Sequence, residues 1–499
     1  MIHLSELSVL QLSGFGAGAY FLYLFCRAIY RIYFHPLAKY PGPITANFSD
    51  LWLVKHWLGG RWALHVQEAH KKYGKFVRIA PNELSILSAN GAKEIYGHVN
   101  KDKKPFLKSA FYDGSGSPNL VTERDPVRHA SARRALAAAF SVKSLRQQTD
   151  IVVRYVDRFV EQLEKLGNTP EGVRMEEWYN WLTFDIIGDL TFAESFGAIE
   201  AAKTPHWIYS LLGLIYMTLY TDAIARFPLM GKVFGLFSSR VKEVQQLAVD
   251  HLESTHEKVQ RRLQKENNRD DFFSHFLSAK HRNVATEFLD QQSVILITAG
   301  SDTTSTTLAS LTYYLCKNPH VLARLQAEVR ATFKTSAEID GVNTSQIPYL
   351  VAVIEEALRL WTSVPGGLPR VSPGQNVDGE FIPQGTIVHT PPFATLRSED
   401  YWHNGNSYCP QRWLPKDDPE YDVAFDNDNH DAFKPFSQGS RACIGINLAY
   451  MELRITLAKL VWHFDWELIN KDLDWERDCR LAIVWQKPEL RVRMVPRAR

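Results

Sequence analysis

Between Pro126 and Phe333, apolar residues recur three and four positions apart, the spacing that lines one face of an α-helix. The pattern predicts helices over 129–140, 148–166, 241–267 and 288–317. Asn318-Pro319 ends the last of these and a further helix follows over 320–333. Upstream, 76–80 and 84–87 alternate about Pro81-Asn82-Glu83 as the two arms of a β-hairpin do. Beyond Arg370 the chain turns to Pro, Gly, Asn and Asp with short β runs, and 481–485 with 490–495 reads as a closing strand pair. No repeat, low-complexity tract or linker breaks this body. A rule of ~150 residues per domain would allow three domains, yet the pattern predicts one, mainly α with a small β subdomain, over 41–499.

Residues 7–26 carry no charge. At ~1.5 Å per residue such a helix covers ~30 Å, the thickness of a bilayer core. A cleaved signal peptide fits less well, because the apolar stretch is long and no basic region precedes it. One N-terminal transmembrane helix is therefore predicted, with 1–40 as anchor and juxtamembrane segment. Only Glu6 precedes it, while Arg27, Arg31 and Lys39 follow, which puts the body in the cytosol. Asn47-Phe-Ser and Asn343-Thr-Ser are glycan acceptors only if that orientation is reversed. A second apolar stretch, 207–236, holds only Asp222, Arg226 and Lys232 as charges. It reads as a buried helix or as a surface dipping into lipid headgroups beside a ligand entrance.

Composition narrows the function. The 57 Lys+Arg against 55 Asp+Glu leave +2, so no basic field argues for nucleic acid. Five cysteines, with no Cys-x-x-Cys pair, make neither a disulfide framework nor a zinc ribbon. One of them stands apart. Phe436-Ser437-Gln438-Gly439-Ser440-Arg441-Ala442-Cys443-Ile444-Gly445 is a glycine-bearing loop delivering Cys443 to the start of a helix over 446–461. Amide N–H groups at a helix start favour a thiolate. Gly439 and Gly445 would let backbone approach a flat ligand or turn where a side chain would clash, and Arg441 could neutralise an acidic group on that ligand. Cys443 is then either a small buried hydrophobe, the usual fate of a free cysteine, or the single thiolate that suffices as proximal ligand of haem iron.

The spacing Phe-x-x-Gly-x-Arg-x-Cys-x-Gly arises by chance in such a chain on the order of once in ten thousand. Here the sequence resembles the cytochrome P-450 superfamily of haem-thiolate monooxygenases. The resemblance implies the cytochrome P-450 fold, haem b as cofactor, Cys443 as axial iron ligand, and Phe436, Gly439, Arg441 and Gly445 around it. Ala299-Gly300-Ser301-Asp302-Thr303-Thr304 is similar to the family's oxygen-activating helix, which makes Asp302 the acid and Thr303 the alcohol of a catalytic proton-relay pair. A Gly among hydroxyls can also distort the helix ladder and admit a ligand or water. Glu356 and Arg359, one helical turn apart, look like the family's buried ion pair, completed by Arg412 from Cys409-Pro410-Gln411-Arg412-Trp413; its role would be structural. Two other Glu-x-x-Arg spacings, 171/174 and 266/269, lack that setting. His129 and Arg133, at a helix start where the family often has Trp instead of His129, and Arg370 match positions that meet the haem propionates.

By the same resemblance, 106–112, Leu296, Ala299, 364–368 and 483–485 line a mostly apolar pocket, which suits a lipophilic small molecule. The anchor with Tyr33-Phe34-His35-Pro36-Leu37 and Tyr40-Pro41-Gly42-Pro43 looks like fungal microsomal members. Gly367-Leu368-Pro369-Arg370 and 112–116 are similar to fungal secondary-metabolite oxygenases. The expected function is hydroxylation or epoxidation of a terpenoid, polyketide or alkaloid scaffold with dioxygen. No flavin or nicotinamide fingerprint appears, so electrons would come from NADPH-cytochrome P-450 reductase. The enzyme would sit in the endoplasmic reticulum membrane in contact with lipid. The alternatives are an isomerase or dehydratase needing no external electrons, a fatty-acid or xenobiotic hydroxylase, and a haem sensor or carrier without turnover.

Overall fold

The computed structural model describes residues 9–99, 103–115, 118–205, 208, 218–227, 239–265, 271–276 and 285–497. Its organising element is the long helix Thr286–Lys317, packed along Met175–Phe192. Nearly every side chain of Met175–Phe192 is buried, as a helix at the centre of a helical body requires. Ile446–His463 packs against Val142–Leu166 and the central helix, and Pro348–Leu360 closes against both Thr286–Lys317 and Ile446–His463.

The predicted helices are present as Pro126–Ala137, Val142–Leu166, Ser239–Gln264, Thr286–Lys317 and Pro319–Thr332. Two begin earlier than periodicity alone indicates because a capping residue sets the start. Asp125 accepts from the Arg128 N–H, with Pro126 in the first turn, and Ser141 accepts from the Ser144 N–H. The hairpin forms between Phe76–Ala80 and Glu83–Ile86. It continues into a five-stranded sheet through Ile387–His389, Arg370–Val371 and Leu107–Lys108. In its last pairing Lys108 stands directly opposite Arg370.

The closing strand pair is not formed as expected. Leu481 pairs with Trp485 in a tight hairpin of its own, while Arg491–Pro496 joins Phe464–Leu468 and Val173–Arg174 in a separate sheet. The segment expected to pair with it is taken by the strands on either side of Arg491–Pro496 instead.

At the N-terminus Val9–Ile29 is helical and a π turn, Tyr30–Phe34, follows. Residues 14–27 are exposed, among them Phe15, Phe21, Leu22, Tyr23 and Phe25. Among the described residues no helix is long and apolar enough to cross a membrane. Gly14, Gly16 and Gly18 dilute this one, and the beginning of the expected span lies outside the described residues. Most of the second apolar stretch, 207–236, also lies outside them. Of what is described there, Ile208 and Leu219 are buried, Tyr220 and Ile224 are exposed, and Arg226 bonds Asp50, Glu83 and Asp222.

Candidate active site

The cysteine loop closes on itself: the Cys443 N–H donates to the Phe436 carbonyl at 2.9 Å, and the Ala442 N–H to Gly439. Two left-handed residues, Ser437 and Gly439, make that reversal possible. A Cβ on Gly439 would overlap the Tyr96 carbonyl oxygen, so this glycine serves a turn where a side chain would clash with neighbouring backbone, one of the two uses its sequence suggested. Gly445 meets nothing closer than Phe140 at 3.8 Å and the Cys443 sulfur at 4.0 Å; it starts the helix Ile446–His463. The Phe436 ring packs on Tyr450. Cys443 is solvent-accessible, yet the protein around its remaining sides pushes the thiol pKa up. The Gly445 amide and Arg133 pull it down without prevailing, so the helix start does not by itself yield the thiolate expected from sequence.

Cations from separate segments gather at one side of this loop. Arg441 donates to the carbonyls of Glu123 and Arg124, and Arg133 donates to Ala442 O. Arg370 donates to Tyr112 Oη and Pro369 O. Lys108, which sequence reasoning missed, is buried and donates to Leu120 O and Val121 O. His129 is buried among them. Burial, then Arg441 and Arg370, pulls the Lys108 pKa down to about 6. Burial, then Arg441, Lys108, Arg133 and Arg370, pulls His129 to about 3. These groups are bonded to main-chain carbonyls and a phenol, not to carboxylates. Like charges placed opposite each other on a strand pair are unfavourable, so the Lys108–Arg370 pairing points to a missing anion. An accessible thiol beside such a set fits haem b, with its two carboxylates and thiolate-binding iron. The signal for Lys108 was faint: a single lysine in a short strand whose partner sequence alone does not name.

On the central helix Ala299 is exposed and Thr303 half-exposed although both lie mid-chain in the core helix. The other expected feature of this segment differs. Thr286–Lys317 is one continuous α-helix, and the hydroxyls of Thr298, Ser301, Thr303 and Thr307 donate to the carbonyls four residues back. Gly300 faces Ile187, whose Cδ1 would lie 2.8 Å from an added Cβ. Its smallness serves helix–helix approach and opens no gap for ligand. Asp302 is buried; its Oδ1 accepts from Lys487 Nζ at 2.8 Å, while Oδ2 has no hydrogen-bond partner among the described residues. Thr303 Oγ1 donates to Ala299 O, so the two side chains are neighbours in sequence without a direct bond.

Glu356, Arg359 and Arg412 meet in full burial. Arg359 donates to both carboxylate oxygens at 2.8 Å, Arg412 Nε at 3.1 Å, Trp413 Nε1 at 2.9 Å and the Cys409 N–H at 2.8 Å. Arg412 also pairs with Asp428, a partner not apparent in the sequence. Burial raises the Glu356 pKa, but Arg359 and Arg412 outweigh it and the net shift is down. Arg174 of the rival spacing is half-exposed and pairs instead with Glu176, Glu177 and Glu489; 266–269 lies outside the described residues.

The family model for cytochrome P450 matches residues 40–494. The chain is 43% identical over 473 residues to cytochrome P450 monooxygenase BOA3 of Botryotinia fuckeliana (93% of this chain, 92% of that protein). It is 40% identical over 482 residues to cytochrome P450 monooxygenase btcC of Colletotrichum orbiculare (95% and 92%). With cytochrome P450 monooxygenase poxC of Penicillium oxalicum it shares 40% over 479 residues (95% and 92%). The crystal structure of the cytochrome P450DA heme domain superposes with a TM-score of 0.77 at 19% identity, over 92% of this chain and 98% of that one, a likeness of fold.

Proposed function

The chain belongs to the cytochrome P450 family and is a monooxygenase with haem b as cofactor; on that premise we propose that it is a membrane-anchored enzyme that hydroxylates or epoxidises a lipophilic secondary metabolite of terpenoid, polyketide or alkaloid type. The observation that carries the site assignment is the accessible Cys443 thiol beside a cationic set whose hydrogen bonds go to carbonyls and a phenol rather than to carboxylates. The scaffold class is supported by fungal monooxygenases among the relatives.

Cys443 would hold the iron, with Arg441, Arg133, Arg370, His129 and Lys108 around the two carboxylates. Bound there, the haem supplies activation of dioxygen and insertion of one oxygen atom, the other leaving as water with two protons and two electrons. Asp302 takes up and passes on a proton at its carboxylate, and Thr303 passes one on through Oγ1 after releasing the Ala299 carbonyl. Glu356, Arg359 and Arg412 fix the segment behind the cysteine loop. Electrons arrive from NADPH-cytochrome P450 reductase.

The outward helix Val9–Ile29, with exposed Tyr33, Phe34, Ile44 and Leu51 beyond it, supports anchoring in the endoplasmic reticulum membrane with lipid against this apolar surface. Arg27, Arg31 and Lys39 on its body side support a cytosolic catalytic domain.

The test is an optical titration of the ferric protein with terpenoid, polyketide and alkaloid scaffolds, followed by NADPH-dependent turnover with reductase. A saturable low- to high-spin shift and one oxygen added per NADPH are expected. Turnover only of fatty acids or foreign compounds would overturn the scaffold class, and product formed without NADPH would overturn the monooxygenase assignment.

A further inference from the structure

Lys487 lies just beyond the small hairpin Arg480–Leu481/Trp485–Gln486, far in sequence from the central helix. Its side chain is nevertheless buried, and its ammonium donates to three acceptors on one turn of that helix. These are Asp302 Oδ1 at 2.8 Å and the hydroxyls of Ser305 and Thr306, each at 3.2 Å. An ammonium has three protons, so each has an acceptor. The carboxylate is pinned through one oxygen while Asp302 Oδ2, buried, has no hydrogen-bond partner among the described residues. The opposite side of the same turn is also held: Ser363 Oγ lies within hydrogen-bond reach of the Thr303 carbonyl at 2.9 Å and of Thr307 Oγ1 at 3.0 Å, its one proton serving either. Ser305 meets Asn180 of Met175–Phe192. The turn bearing Asp302 and Thr303 is thus gripped from several sides, and Lys487 is the grip that acts on the acid itself.

We propose that Lys487 is the positioning residue of the proton relay: through Oδ1 it holds Asp302 turned toward the C-terminal hairpin, leaving Oδ2 as the atom that takes up and passes on protons. The inference rests on the reading of Asp302 as the relay acid. Lys487 neither gives nor takes a proton in the net reaction. It reaches neither the Ala299 nor the Thr303 side chain in its hydrogen bonding. Its removal leaves the buried carboxylate without the donor that fixes Oδ1, so the side chain is free to rotate toward another donor and Oδ2 no longer has a fixed place in the relay.

The test uses the full-length holoenzyme with added NADPH-dependent reductase and no organic substrate, so it does not wait on the scaffold. Dioxygen consumption driven by NADPH is measured in light and heavy water. The C–O stretch of the carbon monoxide complex reports the field over the iron independently of turnover. Lys487→Met is expected to slow dioxygen reduction by about tenfold, less than the roughly 10²–10⁴-fold that a positioned general acid contributes, because the acid itself remains. It should change the solvent isotope effect and move the C–O stretch in the same direction as Asp302→Asn. The double variant should be no slower than Asp302→Asn alone, because both changes disable one relay, and Lys487→Arg should recover most of the rate. The thiolate-type carbon monoxide band checks that each variant is folded and loaded; if Lys487→Met fails that check, Lys487→Gln replaces it. Wild-type rate, isotope effect and stretch in the neutral variant, or losses that multiply with Asp302→Asn, would overturn the positioning role while leaving Asp302 as the acid. A wild-type rate in Asp302→Asn would overturn the relay reading, and with it this one.

Discussion

Replacing Glu356 by Gln keeps the shape of the side chain and removes its charge, at a point where no water can compensate. The carboxylate is fully buried and accepts five hydrogen bonds, from Arg359 twice, Arg412, Trp413 and the Cys409 amide. An amide can keep the bonds on its oxygen, but its NH2 then faces N–H groups that were donating to the other carboxylate oxygen. At least two charge-assisted bonds are lost, each worth about 1.5–3 kcal/mol, so the cost is about 3–5 kcal/mol, the range for leaving a buried charge without its partner. Arg359 retains the carbonyls of Leu396, Gly405 and Ser407, and Arg412 retains Asp428, which argues for the lower half of that range. The assay is denaturant unfolding followed by circular dichroism, alongside the thiolate-type carbon monoxide band. The pH dependence carries its own sign. Glu356 has a folded pKa below its ordinary value, so its stabilisation is complete above the unfolded carboxylate pKa of about 4.3 and is lost as pH falls through the lower folded value. The gap between wild type and variant is therefore flat above about pH 5 and narrows only in stronger acid. A gap under about 1 kcal/mol at neutral pH, the worth of a solvated surface pair, would refute this reasoning.

Three further outcomes follow from the same geometry. Because the Lys108 pKa is pulled down to about 6, the unfolded chain holds the extra proton from there up to its ordinary ~10.4. Stability of haem-free protein should therefore rise with pH across that window, and unfolding midpoints of Lys108→Met should be flatter there than those of wild type. Gly300→Val should destabilise by about 1–3 kcal/mol through collision with Ile187, read as a lowered thermal midpoint; an unchanged midpoint would mean the two helices part freely. Deleting residues 1–29 should shift the protein from the carbonate-resistant membrane fraction toward the soluble one while the carbon monoxide band persists, and a full-length chain carrying glycan on Asn47 or Asn343 would reverse the assigned orientation.

What was legible in the sequence was whatever local spacing encodes. Helix periodicity located the central helix to within two residues at its start, and caps such as Asp125 and Ser141 account for the earlier starts elsewhere. The cysteine loop was legible because its chemistry is written in consecutive residues. Contacts between distant segments were not. Gly439 read as room for a flat ligand or for a turn where a side chain would clash, and Gly300 as an opening for ligand or water; the first makes the turn against the Tyr96 carbonyl and the second answers to Ile187. Neither neighbour is visible from a glycine's own surroundings in the chain. The closing strands failed for a related reason: β pairing is non-local, and two apolar runs close in sequence need not share an edge.

Charge shows the limit most sharply. Lys108 and Arg370 are separated by more than half of the chain; Arg370 was matched to a propionate position only through the family resemblance, and Lys108 alone reads as an ordinary surface cation. Only the pairing of 107–108 with 370–371 brings them opposite each other, and only then does their position become energetically informative. A fold that sets Lys108 and Arg370 face to face beside Arg441 and Arg133, and supplies them with carbonyls and a phenol, keeps Lys108 charged at neutral pH only when an anion completes it. Lys487 makes the complementary case. Its ammonium fully satisfies its own protons, while the carboxylate it meets keeps one oxygen unspent. At the cationic set the protein is short of negative charge, and at Asp302 it is short of a donor. Both shortfalls lie on segments that meet only in the fold, which is why chemistry that consecutive residues do not encode can still be read from where buried polar groups are left incomplete.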